Sequence, residues 1–113
     1  MMKCLDRYVR NMDMKYSVKY LPSLARDILR ISEALEEYPD KAKRLFQEMD
    51  GKILKLEDMP LMCPIFHARP KYRMMVLEGH ILFYTVDAIR HEVKLHRILY
   101  SKMDVPRYLG DEK

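Results

Sequence analysis

The chain has 113 residues, of which 49% are hydrophobic and 34% are charged, and this length suits one compact domain and excludes two. No apolar run approaches the roughly 18 residues needed to span a bilayer, and Lys3, Asp6 and Arg7 stand where a signal peptide would need its apolar stretch. We therefore expect a cytoplasmic protein that does not enter the membrane. The formal net charge of +4 favours a polyanionic partner, either nucleic acid or an acidic protein segment.

The residues before Met14 look like an extension of the domain, which we place at residues 14–113. Apolar side chains at helical spacing indicate a short amphipathic helix within residues 1–13: Leu5, Tyr8, Val9 and Met12. The alternative is that Met14 is the natural start of the chain.

A strand and a helical hairpin are predicted next. Residues 15–20 alternate between polar and apolar side chains, which indicates a half-buried strand. Pro22 suits the first turn of a helix over residues 22–37, and residues 38–40 end it because proline disfavours helical geometry in the residue before it. A second helix, over residues 42–56, has a cleaner apolar stripe. The short break predicts an antiparallel hairpin that lies on a sheet.

The second half of the chain predicts a loop and three strands. Prolines punctuate residues 57–70, and Glu78-Gly79 has the composition of a tight turn. The strands are predicted at residues 72–77, 80–86 and 91–99. The order predicts an α+β fold with an N-terminal strand, an antiparallel helical hairpin and an antiparallel β-meander. Nucleotide-binding α/β folds are excluded because strands and helices do not alternate.

The motifs of several enzyme classes are absent from the sequence. There is no phosphate-binding glycine loop, no serine nucleophile elbow and no zinc-protease helix motif. Cys4 and Cys63 lie far apart, and neither they nor the histidines follow the spacing of a zinc site. We expect reduced thiols and neither a metal nor a cofactor.

Two arginines stand among apolar neighbours in the predicted strands. By strand alternation Arg73 and Arg97 share faces with apolar residues, namely Met75 and Leu77 for the first and Val93, Leu95 and Leu99 for the second. A guanidinium cannot lose its charge, so it must find a partner or reach solvent. One interpretation is an ion pair with Asp87 or Glu92. The other is a groove in which both arginines hold a phosphate, and a β-bulge is a further way to turn either side chain outward.

Three polar residues stand at even-numbered positions in and just after the last predicted strand, and so alternate with Arg97: His96, Tyr100 and Lys102. Beside an arginine, such a cluster suits proton transfer and charge stabilisation during RNA cleavage. The alternatives are an ordinary, partly exposed His96 and a Tyr100 that covers the edge of the sheet.

Several segments, taken in order and spacing, resemble the RelE/ParE superfamily of toxins. They are Lys15 to Pro22, Ala25-x-Asp27-x-x-x-Ile31, Ile53-x-x-Leu56-x-x-x-Pro60, Tyr72-Arg73-Met74, Leu82-Phe83-Tyr84-x-Val86-Asp87, and Val93 to Asp104. The resemblance spans about residues 15–109. It implies a microbial ribonuclease-like fold without disulfides and a toxin of a type II toxin–antitoxin, or plasmid stabilisation, module. An antitoxin would neutralise it in a hetero-oligomer by wrapping over the helices and the sheet.

The resemblance also implies roles for particular residues. Members are chiefly ribosome-dependent mRNA endonucleases or inhibitors of DNA gyrase. The positions that act on the scissile phosphate in the nuclease branch match Arg73, Arg97 and Tyr100, with His96 as an alternative to the tyrosine. The residues expected to hold the RNA backbone are Lys52, Lys55 and Lys102.

We therefore expect an endoribonuclease that cuts mRNA at the ribosome and inhibits translation by metal-independent acid–base chemistry. Replacement of Arg97 by alanine should then abolish toxicity without unfolding the protein. The arginine of the Tyr-Arg pair occurs in both branches, so a non-enzymatic gyrase inhibitor is the alternative. A third reading is a relic that binds its antitoxin but has lost toxicity.

Overall fold

A computed structural model describes residues 15–102, so the predicted N-terminal extension and the tail after Lys102 lie outside the described residues. The elements are β1 (Ser17–Tyr20), α1 (Pro22–Ala34), α2 (Pro39–Lys55), β2 (Arg73–Leu77), β3 (His80–Asp87) and β4 (Glu92–Tyr100). This order confirms the predicted α+β fold. Neither helix between residues 15 and 102 is long and apolar enough to cross a membrane.

The four strands form one mixed sheet in the order β1-β4-β3-β2. Strands β2, β3 and β4 make the predicted antiparallel meander. Strand β1 joins the sheet parallel to β4, with Ser17 opposite Glu92 and Tyr20 opposite Leu95. A parallel pair needs a long crossover connection, and here the helical hairpin, the loop and two strands supply it. The sequence predicted β1 but not its partner.

Prolines start both helices. Pro22 and Pro39 each stand in a first turn, where a backbone N–H has no partner inside the helix and its loss is harmless. The residues expected to separate the helices therefore begin the second one, and α2 starts three residues before the predicted position. At its other end, Lys52 and Lys55 lie in the last turn, where positive charge is favourable beside the helix dipole.

One face of the sheet packs against the helices; we call it the inner face. The side chains buried there are Leu24, Leu45, Met49, Ile53, Leu56, Met75, Leu77, Leu82, Tyr84, Val93, Leu95 and Ile98. Each large apolar side chain of this kind contributes roughly 1.5–3 kcal/mol by leaving water. The inner face is therefore the main source of stability in the described part of the chain.

The opposite, outer face carries a second apolar cluster. Tyr72, Phe83 and Leu99 are buried there, and Phe66 packs on them with its ring 5.1 Å from that of Phe83. The loop returns over the sheet because the Phe66 N–H donates to the carbonyl of Tyr72. The segment predicted as a plain connection thus covers the outer face near β2.

A β-bulge interrupts β4. Phe83 pairs with Arg97 and the next residue, Tyr84, pairs with Leu95, so His96 is an extra residue without a partner in β3. A bulge reverses the alternation of side chains beyond it. Ile98 therefore joins Val93 and Leu95 on the inner face, whereas Leu99 belongs to the outer cluster. The prediction that Leu99 shares a face with Val93 and Leu95 was wrong for this reason.

Candidate functional site

Arg97 forms a bidentate ion pair with Asp27 of α1. Its Nε donates to Oδ2 at 2.6 Å and its Nη2 donates to Oδ1 at 3.0 Å. Asp27 is only 2% exposed, and it also accepts the Ile98 N–H at 3.1 Å and an Arg30 N–H at 3.0 Å. Four donors on one carboxylate satisfy it almost completely. The hydrogen bonds that Arg97 donates to the carboxylate raise the pKa of Arg97, against the effect of burial.

The ion-pair interpretation of Arg97 is therefore the one observed, but the partner is Asp27 and not Asp87 or Glu92. The two residues stand 70 positions apart in the sequence. A signal for the pair exists in the helix pattern, because Asp27 lies on the same stripe of α1 as Leu24 and Ile28. An acid on an apolar helix face and an arginine in an apolar strand each need a partner of opposite charge, and each can be the partner of the other.

Helix α1 also closes the edge of β4 where β1 ends. The Leu21 N–H donates to the carbonyl of Leu95, and the Ser23 hydroxyl donates to the carbonyl of His96 at 2.7 Å. Asp27 then accepts the N–H of Ile98. Unpaired strand edges attract other strands, so these three hydrogen bonds protect the part of β4 that holds the bulge.

Arg73 is held by the loop that follows α2. Its Nη1 donates to the carbonyl of Cys63 at 2.7 Å and to that of Leu61 at 3.4 Å. The neighbouring Tyr84 hydroxyl donates to the carbonyl of Pro60 at 2.8 Å, and burial raises the pKa of Tyr84. Two side chains from adjacent strands thus fix the backbone of residues 60–63.

His96 and Tyr100 lie apart from Arg73. The His96 Nε2 is 2.9 Å from the Thr85 hydroxyl oxygen, and its ring meets the Tyr72 ring edge-on at a centroid distance of 5.1 Å. Tyr100 is 46% exposed and packs edge-on against His80 at 5.7 Å.

The strand register separates the four predicted catalytic residues. Along β3, Arg73 stands opposite Tyr84, and Tyr100 stands opposite His80. Tyr84 and His80 are four positions apart in β3, or roughly 13 Å at a rise of about 3.3 Å per residue. The two arginines are closer in register, but one bonds a loop and the other a helix. The structure therefore does not bring the four side chains to one point.

The three predicted RNA-binding lysines occupy two separate places. Lys52 donates to the carbonyl of Val76 in β2 at 2.9 Å and pairs with Glu48 at 3.0 Å. Its hydrogen bond lowers the pKa of Glu48. Lys55 lines the same shallow pocket as Lys52, beside β2, whereas Lys102 is exposed beyond the end of β4.

The described residues also form an apolar cavity of about 290 Å³ between α1 and the ends of β3 and β4. Its apolar lining consists of Ile31, Ala34, Leu35, Ile98, Leu99 and Tyr100. Between residues 15 and 102, no three histidine, cysteine or acidic side chains come together in a way that could hold a metal ion.

A family model described as the ParE toxin of the type II toxin–antitoxin system parDE matches residues 18–105. The chain belongs to the ParE toxin family. The match includes almost every described element and confirms the resemblance to the RelE/ParE superfamily. The protein is accordingly a toxin of a type II toxin–antitoxin module.

One solved structure agrees with the ParE assignment at the level of the fold, and a second is reported beside it for its similarity alone. A chain of the chromosomal ParDE system from P. aeruginosa superposes with a TM-score of 0.64 at 20% sequence identity, covering 77% of this chain and 97% of that one. A chain of the toxin–antitoxin complex RelBE2 from Mycobacterium tuberculosis gives a TM-score of 0.48 at 20% identity, covering 76% and 98%. The curated proteins include no match to this sequence.

Proposed function

We propose that this ParE-family toxin acts by binding DNA gyrase and does not cleave RNA. The observation that carries the proposal is the Arg97–Asp27 pair, because it commits the expected transition-state cation to a structural role. This choice reverses the preference for a nuclease that the sequence suggested.

A nuclease needs its cations and proton-transfer groups in contact with one phosphate. For Arg97 to contact a phosphate through Nε and Nη2, it would have to leave Asp27, which is nearly inaccessible to solvent. Removing one partner of a buried ion pair costs about 3–5 kcal/mol. That cost would be added to the barrier of every cleavage reaction, whereas a toxin that acts by binding need not break the pair.

The nuclease remains as the second candidate, and one observation favours it. The bulge in β4 places His96 beside Thr85, and bulges occur often next to active sites, where they redirect a side chain. In this hypothesis the catalytic residues stay Arg73, Arg97, Tyr100 and His96, and the RNA contacts stay Lys52, Lys55 and Lys102.

An antitoxin partner follows from the same family assignment. The solved relative from P. aeruginosa is described as a ParDE toxin–antitoxin system, and we propose that this chain likewise pairs with an antitoxin in a cytoplasmic hetero-oligomer. The apolar cavity between α1 and β4 offers a site for apolar side chains of such a partner.

The test is inducible expression without antitoxin, followed by mapping of mRNA 5′ ends and a supercoiling assay with purified gyrase. We expect intact messages and inhibited supercoiling. Cuts within translated codons, with gyrase unaffected, would overturn the proposal and establish the second candidate.

A matched variant sharpens this test. Tyr100→Phe removes one exposed hydroxyl and keeps the ring that packs on His80. A toxin that acts by binding should keep its full effect on supercoiling. If Tyr100 transfers a proton during RNA cleavage, the same variant should lose toxicity while keeping the melting temperature of the parent.

A further inference from the structure

Two adjoining apolar cavities form one groove along the second half of α1. The cavity of about 290 Å³ between α1 and β4 shares Leu35, His80 and Tyr100 with a second cavity of about 230 Å³, which reaches Leu45 of α2. We call the two together the α1–β4 groove. An elongated apolar groove at a surface suits several side chains of a protein segment better than it suits one small molecule.

Arg30 lies at one end of the α1–β4 groove, and its side chain is 62% exposed. Its Nη1 donates to the Asp27 carboxylate at 3.0 Å, and this is the one hydrogen bond that the guanidinium makes to a residue between 15 and 102. A guanidinium has five N–H donors, in an arrangement that binds a carboxylate through two of them at once. Arg30 can therefore bind a carboxylate from a partner and keep its contact with Asp27.

The acids near Arg30 have other partners of opposite charge. Asp27 accepts two hydrogen bonds from Arg97, so these two charges cancel and that of Arg30 is left over. Glu33, one turn further along α1, lines a separate shallow pocket together with Arg26. One exposed cation beside apolar walls is complementary to a segment in which an acidic residue stands among apolar ones.

We propose that the α1–β4 groove binds a segment of the antitoxin that carries apolar side chains and a carboxylate, and that Arg30 pairs with this carboxylate. The apolar side chains of the segment pack between Ile31 and Ala34 on one wall and Tyr100 on the other. The ion pair then determines which end of the segment lies at Arg30, because a charge placed at the other end would stay unpaired. This inference rests on the proposed pairing with an antitoxin, and it holds whether the target is gyrase or mRNA.

The test is isothermal titration calorimetry of the purified full chain with the antitoxin encoded in the same module. Arg30→Gln should weaken binding roughly 10-fold, because a charge-assisted hydrogen bond is lost. Ala34→Trp places a large ring in the groove and should weaken binding by a similar factor, about 10-fold or more. Both residues are exposed, so we expect both variants to melt close to the parent.

Arg26→Gln is the matched control, because Arg26 is exposed on the same helix but does not line the groove, and the change removes the same charge. We expect this variant to keep the parental affinity. Arg30→Glu tests the ion pair itself. It should weaken binding more than Arg30→Gln does, and replacement of one acidic residue of the antitoxin by lysine should restore the affinity. A loss that no such replacement restores would contradict the proposed pairing of Arg30.

Parental affinity in both groove variants, or equal effects of Arg30→Gln and Arg26→Gln, would overturn the inference and leave the antitoxin as a partner. No binding by the parent would overturn the antitoxin pairing itself, and this inference with it. Sedimentation of the toxin alone separates a further occupant. A dimer that Ala34→Trp dissociates would mean that the groove joins two copies of this chain, contrary to the proposal.

Discussion

Replacement of Arg97 by alanine should destabilise the fold strongly. The variant leaves the Asp27 carboxylate almost inaccessible to solvent and removes the two hydrogen bonds that Arg97 donates to it. Breaking a buried pair in this way costs about 3–5 kcal/mol. We expect the lower end, about 3 kcal/mol, because the Arg97 side chain is itself 24% exposed and because Arg30 and the Ile98 N–H still contact the carboxylate.

The assay is urea unfolding at pH 7, followed by circular dichroism, together with thermal melts. A loss of about 3 kcal/mol corresponds to a fall of roughly 12–24 °C in Tm for a domain of this size. This replaces the expectation that Arg97→Ala leaves the fold intact, and it means that lost toxicity in this variant would not identify a catalytic residue.

A double-mutant cycle isolates the pair. We expect Asp27→Leu and Arg97→Met together to destabilise the protein by less than the sum of the two single changes, because apolar groups of similar size often replace a buried ion pair at little cost. The reasoning would be refuted if Arg97→Ala changed the free energy of unfolding by less than about 0.5 kcal/mol, the range of an ordinary surface substitution.

Three smaller effects follow from contacts elsewhere in the described residues. Tyr84→Phe should cost about 1 kcal/mol by removing the hydrogen bond to Pro60. Because the pKa of Tyr84 is raised above its usual 10.0, the parent should also lose stability as the pH rises above that value, and this loss should shrink in the variant when both are titrated by urea unfolding. Glu48→Gln should cost under about 1 kcal/mol at pH 7. The Glu48 pKa is lowered, so this stability is present above 4.5 and is lost as the pH falls through the lowered pKa, and the two proteins should converge in acid melts. Lys94→Gln should leave Tm unchanged or raise it, since it removes a like-charge pair, and a lower Tm in a thermal melt would contradict that account.

The order of elements could be predicted from the sequence because each depends on local spacing. The alternation of residues 15–20 and the apolar stripe of α2 are each formed by residues that lie close together in the sequence. The position of the bulge at His96 could not be predicted from the alternation of β4, because inserting one residue leaves an equally acceptable apolar pattern and changes only which residues it buries. Leu99 was assigned to the wrong face for this reason.

The candidate site was less predictable because it depends on contacts that are distant in sequence. The need of Arg97 for a partner was evident from its apolar neighbours, but the signal for Asp27, an acid on the apolar stripe of α1, lies 70 positions away in the sequence. The residue types therefore predicted that Arg97 needs a partner, and the packing of α1 beside β4 supplies Asp27 as that partner.

The parallel pairing of β1 with β4 also determines when this domain can finish folding during its synthesis. Ser17 precedes its partner Glu92 by 75 residues, and a ribosome adding about 5–20 residues per second needs roughly 4–15 s to make that stretch. Throughout that interval β1 has no strand to pair with, and Asp27 has no Arg97. One strand, made last, then supplies both partners, so we expect the growing chain to become a folded toxin only after β4 has left the ribosome.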